Sequence, residues 1–252
     1  MITAPNPSPA TLAGTNTYLI DSAGQAVVID PGPDDPAHLA RVIERTARAG
    51  GRVVLILVTH GHSDHVGGVA RLARETGAQV RGWRGTGRPL HDGEIFPFRG
   101  EACRVVYTPG HAPDHVAFYW EGPGVLFSGD LILGQGTVQV TPPGGSMIDY
   151  LKSLERIAQL NLASIAPGHG PLIREPKVRV AEYLAHRRMR ERQILDALTE
   201  VARTPSDLAR TLYPDLDPRL WRAAEGTVLA HLEKLVAGGQ ARRIDGGFTR
   251  SR

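Results

Sequence analysis

The chain has 252 residues, of which 41% are hydrophobic and 22% charged, and its formal net charge is +3. This length suffices for one large α/β domain plus a small module, and the composition excludes a disordered or fibrous protein. No apolar stretch approaches the roughly 18 residues of a membrane span, and the single cysteine, Cys103, excludes an internal disulfide, so we expect a cytoplasmic protein with no membrane partner.

Short apolar runs bounded by turn residues recur through the first two thirds of the chain, and each predicts a strand. In chain order the runs are TNTYLI, QAVVID, RVVLILVTH, QVRGW, CRVVYTPG, HVAFYW, GVLFSGD and ASIAPGHG. Three segments with apolar residues three and four apart predict amphipathic helices: PAHLARVIERTARAG, DHVGGVARLARETG and MIDYLKSLERIAQLN. Strands with intervening helices predict a layered α/β domain.

The pattern changes to helix after Pro171. A long charged segment, EPKVRVAEYLAHRRMRERQILDALTE, precedes two further helical segments and two β-prone pieces separated by Asp-Gly-Gly. Thr204 before Pro205 predicts a helix start. Helix, helix and hairpin are the plan of a winged-helix module, so we predict an α/β domain over 1–172, a connecting helix over 173–203 and a winged-helix-like domain over 204–252.

The charge is distributed unevenly. Residues 1–171 contain 13 Lys and Arg against 15 Asp and Glu, whereas residues 172–252 contain 16 against 11. Basic side chains of this second part are candidates for contacts with nucleic-acid phosphates. The candidates are Arg187, Arg188, Arg190, Arg192, Arg242 and Arg243. The alternative for the first four is a solvated helix face with local glutamate partners.

The sequence THGHSDHVGG, which begins at Thr59, is the most informative motif. It places three histidines and an aspartate within six residues, between the apolar run VVLILV and a predicted helix. Imidazole and carboxylate are preferred ligands of zinc and similar ions, and a loop lets them converge from different directions. His60 and His62 can share one ion, while Asp64 and His65 can turn toward a second.

Three more polar residues follow apolar strands: His111 in TPGHAPDH, Asp130 in LFSGD and His169 in APGHG. Ordinary loop histidines and a helix-capping aspartate are the alternative interpretation of each residue alone. However, six of the ten histidines, His115 included, fall in the three motifs THGHSDHVGG, TPGHAPDH and APGHG, which makes chance clustering a poor explanation.

This ordered set of motifs, over residues 12–172, resembles the metallo-β-lactamase superfamily. The resemblance implies a four-layer αββα sandwich and two metal ions, with zinc expected and manganese or iron as alternatives. It further implies that one ion is bound by His60, His62 and His111, that the other is bound by Asp64, His65 and His169, and that Asp130 bridges them. Cys103 matches no ligand position of the motifs.

A closer resemblance, to the β-lactamase-like protein 2 group, rests on APNPSPATLAGTNTYLI, LFSGDLILGQGT, APGHGPLI and the C-terminal module. It implies hydrolysis of single-stranded RNA by a metal-activated hydroxide. We expect Asp64 and Asp130 to act in catalysis, with His115 as an outer or substrate-facing donor. The alternatives are a glyoxalase II-like thioester or lactone hydrolase with a small-molecule substrate, and a winged-helix DNA-binding regulator.

Overall fold

The computed structural model describes residues 1–82 and 87–251. They form two compact units that alternate along the chain. The first unit comprises residues 1–108, 114–137 and 159–177; the second comprises residues 109–113, 138–158 and the chain from residue 178 onwards. Among the described residues, every helix is too short or too polar to cross a membrane.

The first unit contains a six-stranded sheet whose strands lie in chain order. The strands are β1 (Ile2–Thr3), β2 (Asn16–Ser22), β3 (Gln25–Ile29), β4 (Arg52–Leu57), β5 (Gln79–Gly82) and β6 (Arg88–Pro89). Strands β3 to β6 run parallel, so the residues that follow β3 and β4 lie at the same sheet edge. The predicted strand QVRGW corresponds to β5, and its last residue, Trp83, lies outside the described residues.

Helices connect the parallel strands of this sheet. They are α1 (Pro36–Arg48), α2 (Ser63–Val66) and α3 (Val69–Thr76). The first begins where the Asp35 carboxylate accepts a hydrogen bond from the backbone N–H of His38, with Pro36 in the first turn. The apolar faces of α1 and α3 pack on one face of the sheet through Leu39, Val42, Leu72, Val28 and Ile56.

A second sheet of five strands completes the first unit. Its strands are β7 (Ile95–Phe98), β8 (Glu101–Tyr107), β9 (Val116–Trp120), β10 (Val125–Gly129) and β11 (Ser164–Pro167). Strands β10 and β11 are parallel, and the other pairs are antiparallel. The residues after β10 and β11, Asp130 and Gly168, therefore lie at one sheet edge.

The two sheets share one hydrophobic core. The first sheet contributes Tyr18, Ile20, Ile29 and Leu57, and the second contributes Cys103, Val105, Phe118, Phe127 and Ala166. Side chains that alternate along each strand fill the space between two stacked sheets. The α/β sandwich predicted from the sequence is confirmed. The strands β1 and β6 were not predicted because each has only two residues, and β7 was not predicted because Pro97 interrupts its pattern.

The second unit is mainly helical. It contains α4 (Met147–Ala158), most of α5 (Pro176–Ala197), α6 (Pro205–Leu212), α7 (Trp221–Ala237) and a hairpin of β12 (Ala241–Ile244) and β13 (Gly247–Arg250). Thr204 caps α6 in a reciprocal capping box with Asp207. A core formed by Ile194, Leu208, Val228, Leu232 and Phe248 joins these elements. Helix, helix and hairpin form the predicted winged helix.

Helix α7 is buried on more than one face. Its buried residues include Gly226, Thr227, Val228, Ala230, His231 and Leu232. A Cβ atom at Gly226 would lie 2.4 Å from the Thr141 side chain, so this turn of the helix contacts the chain that precedes α4 closely.

Candidate metal centre

Asp30, immediately after β3, organises the loop that carries the first histidines. Its carboxylate accepts hydrogen bonds from the Thr59 backbone N–H (2.8 Å), the Thr59 hydroxyl (2.7 Å) and His65 Nδ1 (2.8 Å). The residue is 2% exposed and has a φ angle of +51°. Asp30 is not among the predicted site residues, although its position after the apolar run VVI is a signal that could have identified it.

These hydrogen bonds determine which ring nitrogen of each histidine is protonated. Because a carboxylate only accepts, His65 Nδ1 donates to Asp30, and His65 Nε2 is the nitrogen that would bind a metal. The Thr59 hydroxyl proton is used on Asp30, so Thr59 Oγ1 accepts from His60 Nδ1 at 3.0 Å. His60 Nε2 therefore has a lone pair, and it lies 3.0 Å from His62 Nδ1. Such outer hydrogen bonds orient metal-binding imidazoles.

Two imidazole nitrogens and two carboxylate oxygens converge in the first unit. His65 Nε2 lies 3.3 Å from His169 Nε2, 3.5 Å from Asp64 Oδ2 and 3.4 Å from Asp130 Oδ1. His169 Nε2 lies 3.2 Å from Asp64 Oδ2 and 3.3 Å from Asp130 Oδ1. Tetrahedral ligands at about 2.0–2.1 Å from zinc are separated by about 3.3–3.4 Å. The donor set therefore fits a tetrahedral divalent cation.

His169 reaches this cluster from the end of β11. Its Nδ1 donates to the Gly14 carbonyl at 3.2 Å, which leaves Nε2 as the ligand atom. The preceding residue, Gly168, lies against the cluster: a Cβ atom there would come within 2.6 Å of Asp130 Oδ1 and 2.8 Å of His65 Cε1. Only glycine leaves space for both side chains.

Asp130 borders a second group of donors. One ligand atom from each of His60, His65 and Asp130 lies within 4.8 Å of the other two. Asp130 therefore adjoins the His65 and His169 nitrogens as well as the His60 ring.

His115 contacts Asp130 from inside the fold. It is fully buried, its Nε2 accepts a hydrogen bond from the Asp130 backbone N–H at 3.1 Å, and its Nδ1 donates to Thr108 Oγ1 at 2.8 Å. The ring thus fixes the backbone that carries Asp130. The expectation of a substrate-facing donor is wrong for His115 because no part of the ring is exposed; it is a positioning residue.

Charges within the cluster shift the pKa values of its members in opposite directions. Burial alone would raise the pKa of Asp130, but His65 and His169 hold it well below its ordinary value. Burial opposes the charged forms of His65 and His169, yet the neighbouring carboxylates raise both pKa values, that of His169 to about 9. Burial also opposes ionisation of Asp64, but its pKa is lowered by His169 and His65. In the metal-free protein, imidazolium ions therefore balance the carboxylates.

His111 lies in the part of the β8–β9 loop that belongs to the second unit. Its Nδ1 donates to the backbone carbonyl of Gln139 at 2.8 Å, because a carbonyl oxygen only accepts. His111 Nε2 is therefore the nitrogen that would bind a metal. This hydrogen bond orients the His111 ring, as the Nδ1 hydrogen bonds of His65 and His169 orient theirs.

The arginines that were predicted to contact phosphates lie in different environments in the second unit. Arg187 is 2% exposed, lies over the Tyr150 ring and donates to the Val138 carbonyl. The expectation that it contacts a surface phosphate is wrong because its guanidinium is inside the fold. Arg190 is half-buried over the Tyr213 ring.

The other four predicted arginines are exposed: Arg188, Arg192, Arg242 and Arg243. Arg188 pairs with Glu155 at 3.2 Å, and Arg243 lies 3.4 Å from Glu233 and over the Phe248 ring. Exposed pairs of this kind contribute little to stability, so their arginines can exchange partners readily.

Family models identify the class of protein. The model of the metallo-β-lactamase superfamily matches residues 10–99 and 82–169, and that of the β-lactamase-associated winged helix domain matches residues 204–250. The chain therefore belongs to the metallo-β-lactamase superfamily. Together with the donor cluster, this membership makes it a metal-dependent hydrolase.

Individual relatives narrow the assignment within the superfamily. The chain is 36% identical over 259 residues to the β-lactamase-like protein 2 homolog of Drosophila melanogaster, covering 94% of this chain and 87% of that protein. A metallo-β-lactamase family protein from Thermus thermophilus has a similar structure, with a TM-score of 0.83, 27% identity and coverage of 99% of this chain and 97% of that one. TTHA1623, crystallised in a di-iron-bound form, gives a TM-score of 0.58 and 30% identity over 71% of this chain and 96% of that one. The similarity to the Drosophila protein, together with the matching winged helix domain, confirms the predicted resemblance to the β-lactamase-like protein 2 group.

Proposed function

We propose that the chain is a dinuclear metal-dependent phosphodiesterase that cleaves single-stranded RNA internally. The observation that carries the hydrolytic part is the convergence of two imidazole nitrogens and two carboxylate oxygens at tetrahedral spacing. Nitrogen and oxygen donors of this kind suit zinc, which is the metal we propose, and also suit iron and manganese.

Two groups of side chains would hold the two cations. In this proposal the first group is His60, His62 and His111; the second is Asp64, His65 and His169; and Asp130 belongs to both. When bound, paired divalent cations lower the pKa of water and stabilise negative charge on the attacked centre. Asp64 acts as a ligand in this proposal, because its Oδ2 lies 3.2 Å from His169 Nε2 and 3.5 Å from His65 Nε2.

The RNA part of the proposal rests on charge. The C-terminal part, residues 172–252, contains five more basic than acidic side chains, and Arg188, Arg192, Arg242 and Arg243 are exposed there. Arginine contacts with phosphates release counterions and make RNA binding dependent on salt. A cytoplasmic location is part of this proposal, and the buried, unpaired Cys103 suits a reducing environment.

A recess in the first unit supports thioester or lactone hydrolysis as the second candidate. It has a volume of about 290 Å³ and mainly apolar walls. Its lining includes Leu12, Ala13, Asn16 and Gly170, and Gly170 directly follows His169. A small acyl group could be bound there, whereas a phosphodiester would gain nothing from apolar walls.

A substrate comparison tests the proposal. The zinc-loaded full-length protein would be incubated with a labelled single-stranded RNA, a glutathione thioester and a lactone, each with and without chelator. We expect internal RNA cleavage that chelator abolishes and added zinc restores. The double substitution Arg242→Gln and Arg243→Gln should raise KM for RNA, while Arg48→Gln, an exposed arginine paired with Glu44, should not. Turnover of the thioester or lactone with intact RNA would favour the second candidate.

A further inference from the structure

Arg187 has an unusual environment for an arginine. It lies on α5 in the same stripe as the buried residues Val180, Tyr183 and Ile194, and it is 2% exposed. Arginine is seldom fully buried unless its charge is paired. Its Nε has no hydrogen-bond partner among residues 1–82 and 87–251, so the burial carries a desolvation cost. An arginine buried at this cost is expected to have a structural or functional role.

The two contacts of the guanidinium indicate that role. It lies 5.2 Å from the centre of the Tyr150 ring, on α4, and it donates a hydrogen bond to the Val138 carbonyl. Val138 and Val140 are buried, while the side chain of Gln139 between them is exposed. Arg187 therefore ties this short segment, which belongs to none of the helices or strands, to α5.

The same segment orients His111. The carbonyl of Gln139, one residue after the Arg187 acceptor, receives the His111 Nδ1 hydrogen bond at 2.8 Å. An outer acceptor of this kind fixes the tautomer and the ring orientation of a metal-binding histidine. Arg187 and His111 thus bind successive carbonyl groups of one segment.

We propose that Arg187 is a positioning residue for the metal centre: it fixes the Val138–Gln139 segment and, through the Gln139 carbonyl, the His111 ring. This inference rests on the proposed function, in which His111 is a metal ligand. Without the guanidinium, the Gln139 carbonyl would lose its fixed place. His111 Nε2 would then have to be ordered at the moment of metal binding, which costs affinity.

Zinc titration in competition with a chromogenic chelator tests this role in the full-length protein. The wild type should show two binding steps, and His111→Ala identifies the step to which His111 contributes. We expect Arg187→Met to weaken that step by about 10- to 100-fold and to leave the other step unchanged. Arg187→Lys should lose less, because lysine retains a donor and a charge. Arg188→Met, an exposed neighbour paired with Glu155, is the matched control and should match the wild type.

A double substitution distinguishes positioning from general damage. If Arg187 acts through His111, adding Arg187→Met to His111→Ala should not change the remaining zinc step. Weakening of both steps by Arg187→Met, or of neither, would overturn the inference, and so would further loss in the double variant. Should Arg187→Met fail to fold, Arg187→Lys decides: wild-type affinity at both steps overturns the role. A wild type with a single zinc step would instead contradict the dinuclear centre itself.

Discussion

Replacing Asp30 by asparagine should weaken metal binding although Asp30 is not a ligand. Asparagine has nearly the same shape and tolerates the φ angle of +51° at this position. However, one carboxylate oxygen becomes an N–H donor. Oδ1 accepts from the Thr59 backbone N–H, while Oδ2 accepts from both the Thr59 hydroxyl and His65.

The size of the effect follows from these three hydrogen bonds. If the amide nitrogen takes the Oδ1 position, it opposes the Thr59 N–H and leaves a buried donor unpaired, at about 1–3 kcal/mol. If it takes the Oδ2 position, both His65 and the Thr59 hydroxyl lose their acceptor. Loss of an outer partner typically weakens metal affinity by about 10- to 100-fold, or about 1.4–2.7 kcal/mol.

Zinc titration with a competing chelator measures this loss directly. Asp34→Asn is the matched control, since Asp34 is exposed and pairs with Arg71. We expect the control to bind zinc like the wild type and Asp30→Asn to bind it at least tenfold more weakly. A folded Asp30→Asn protein with wild-type zinc affinity would refute the claim that Asp30 orients His65 and, through Thr59, His60.

Two further predictions concern the cluster itself. Gly168→Ala should remove at least one bound metal, because the added Cβ would come within 2.6 Å of Asp130 Oδ1. The control Gly144→Ala has no atom within 4 Å of its Cβ and should bind metal normally. Equal metal content in the two variants would contradict the close packing at Gly168. In the metal-free protein, the pKa of His169 is raised to about 9 although burial opposes this, because Asp130 and Asp64 stabilise the imidazolium. A histidine whose pKa is raised in the folded state stabilises the fold fully at pH values below its unfolded-state pKa of about 6.5, and this stabilisation is lost as the pH rises toward the folded-state pKa. The free energy of unfolding should therefore fall by up to about 3 kcal/mol between about pH 6.5 and 9. Denaturant unfolding of chelator-treated protein that is equally stable across this range would contradict the electrostatic balance described above.

The candidate metal ligands that lie within a sequence motif were predicted from the sequence. The run from His60 to His65 lies in one loop, so its residue types and spacing already indicate metal binding. Asp130 was predicted because it directly follows an apolar strand, and His111 and His169 because each lies within a few residues of one. Asp30 also directly follows an apolar strand, but its contact with His65 could not be predicted, since a helix and a strand separate the two residues and parallel pairing of β3 and β4 brings them together.

Two predictions were wrong because the sequence gives the type of a side chain but not whether that side chain is buried. His115 was expected to be an outer or a substrate-facing donor, and the substrate-facing alternative fails because the β8–β9 pairing places the ring inside the fold, against the Asp130 backbone. Arg187 lies in the charged run HRRMRER, where it resembles its exposed neighbours. Its spacing from Tyr183 and Ile194 places it on the buried stripe of α5, which is a signal that helical periodicity could have supplied.

Metal content tests the central claim, that this fold holds a dinuclear metal centre, most directly. Protein purified without chelator and supplied with zinc would be analysed for its elements after unbound metal is removed. Because the candidate donors form more than one group of three ligands, we expect about two metal ions per chain. A folded protein that retains at most one transition-metal ion per chain after zinc is supplied would contradict the account.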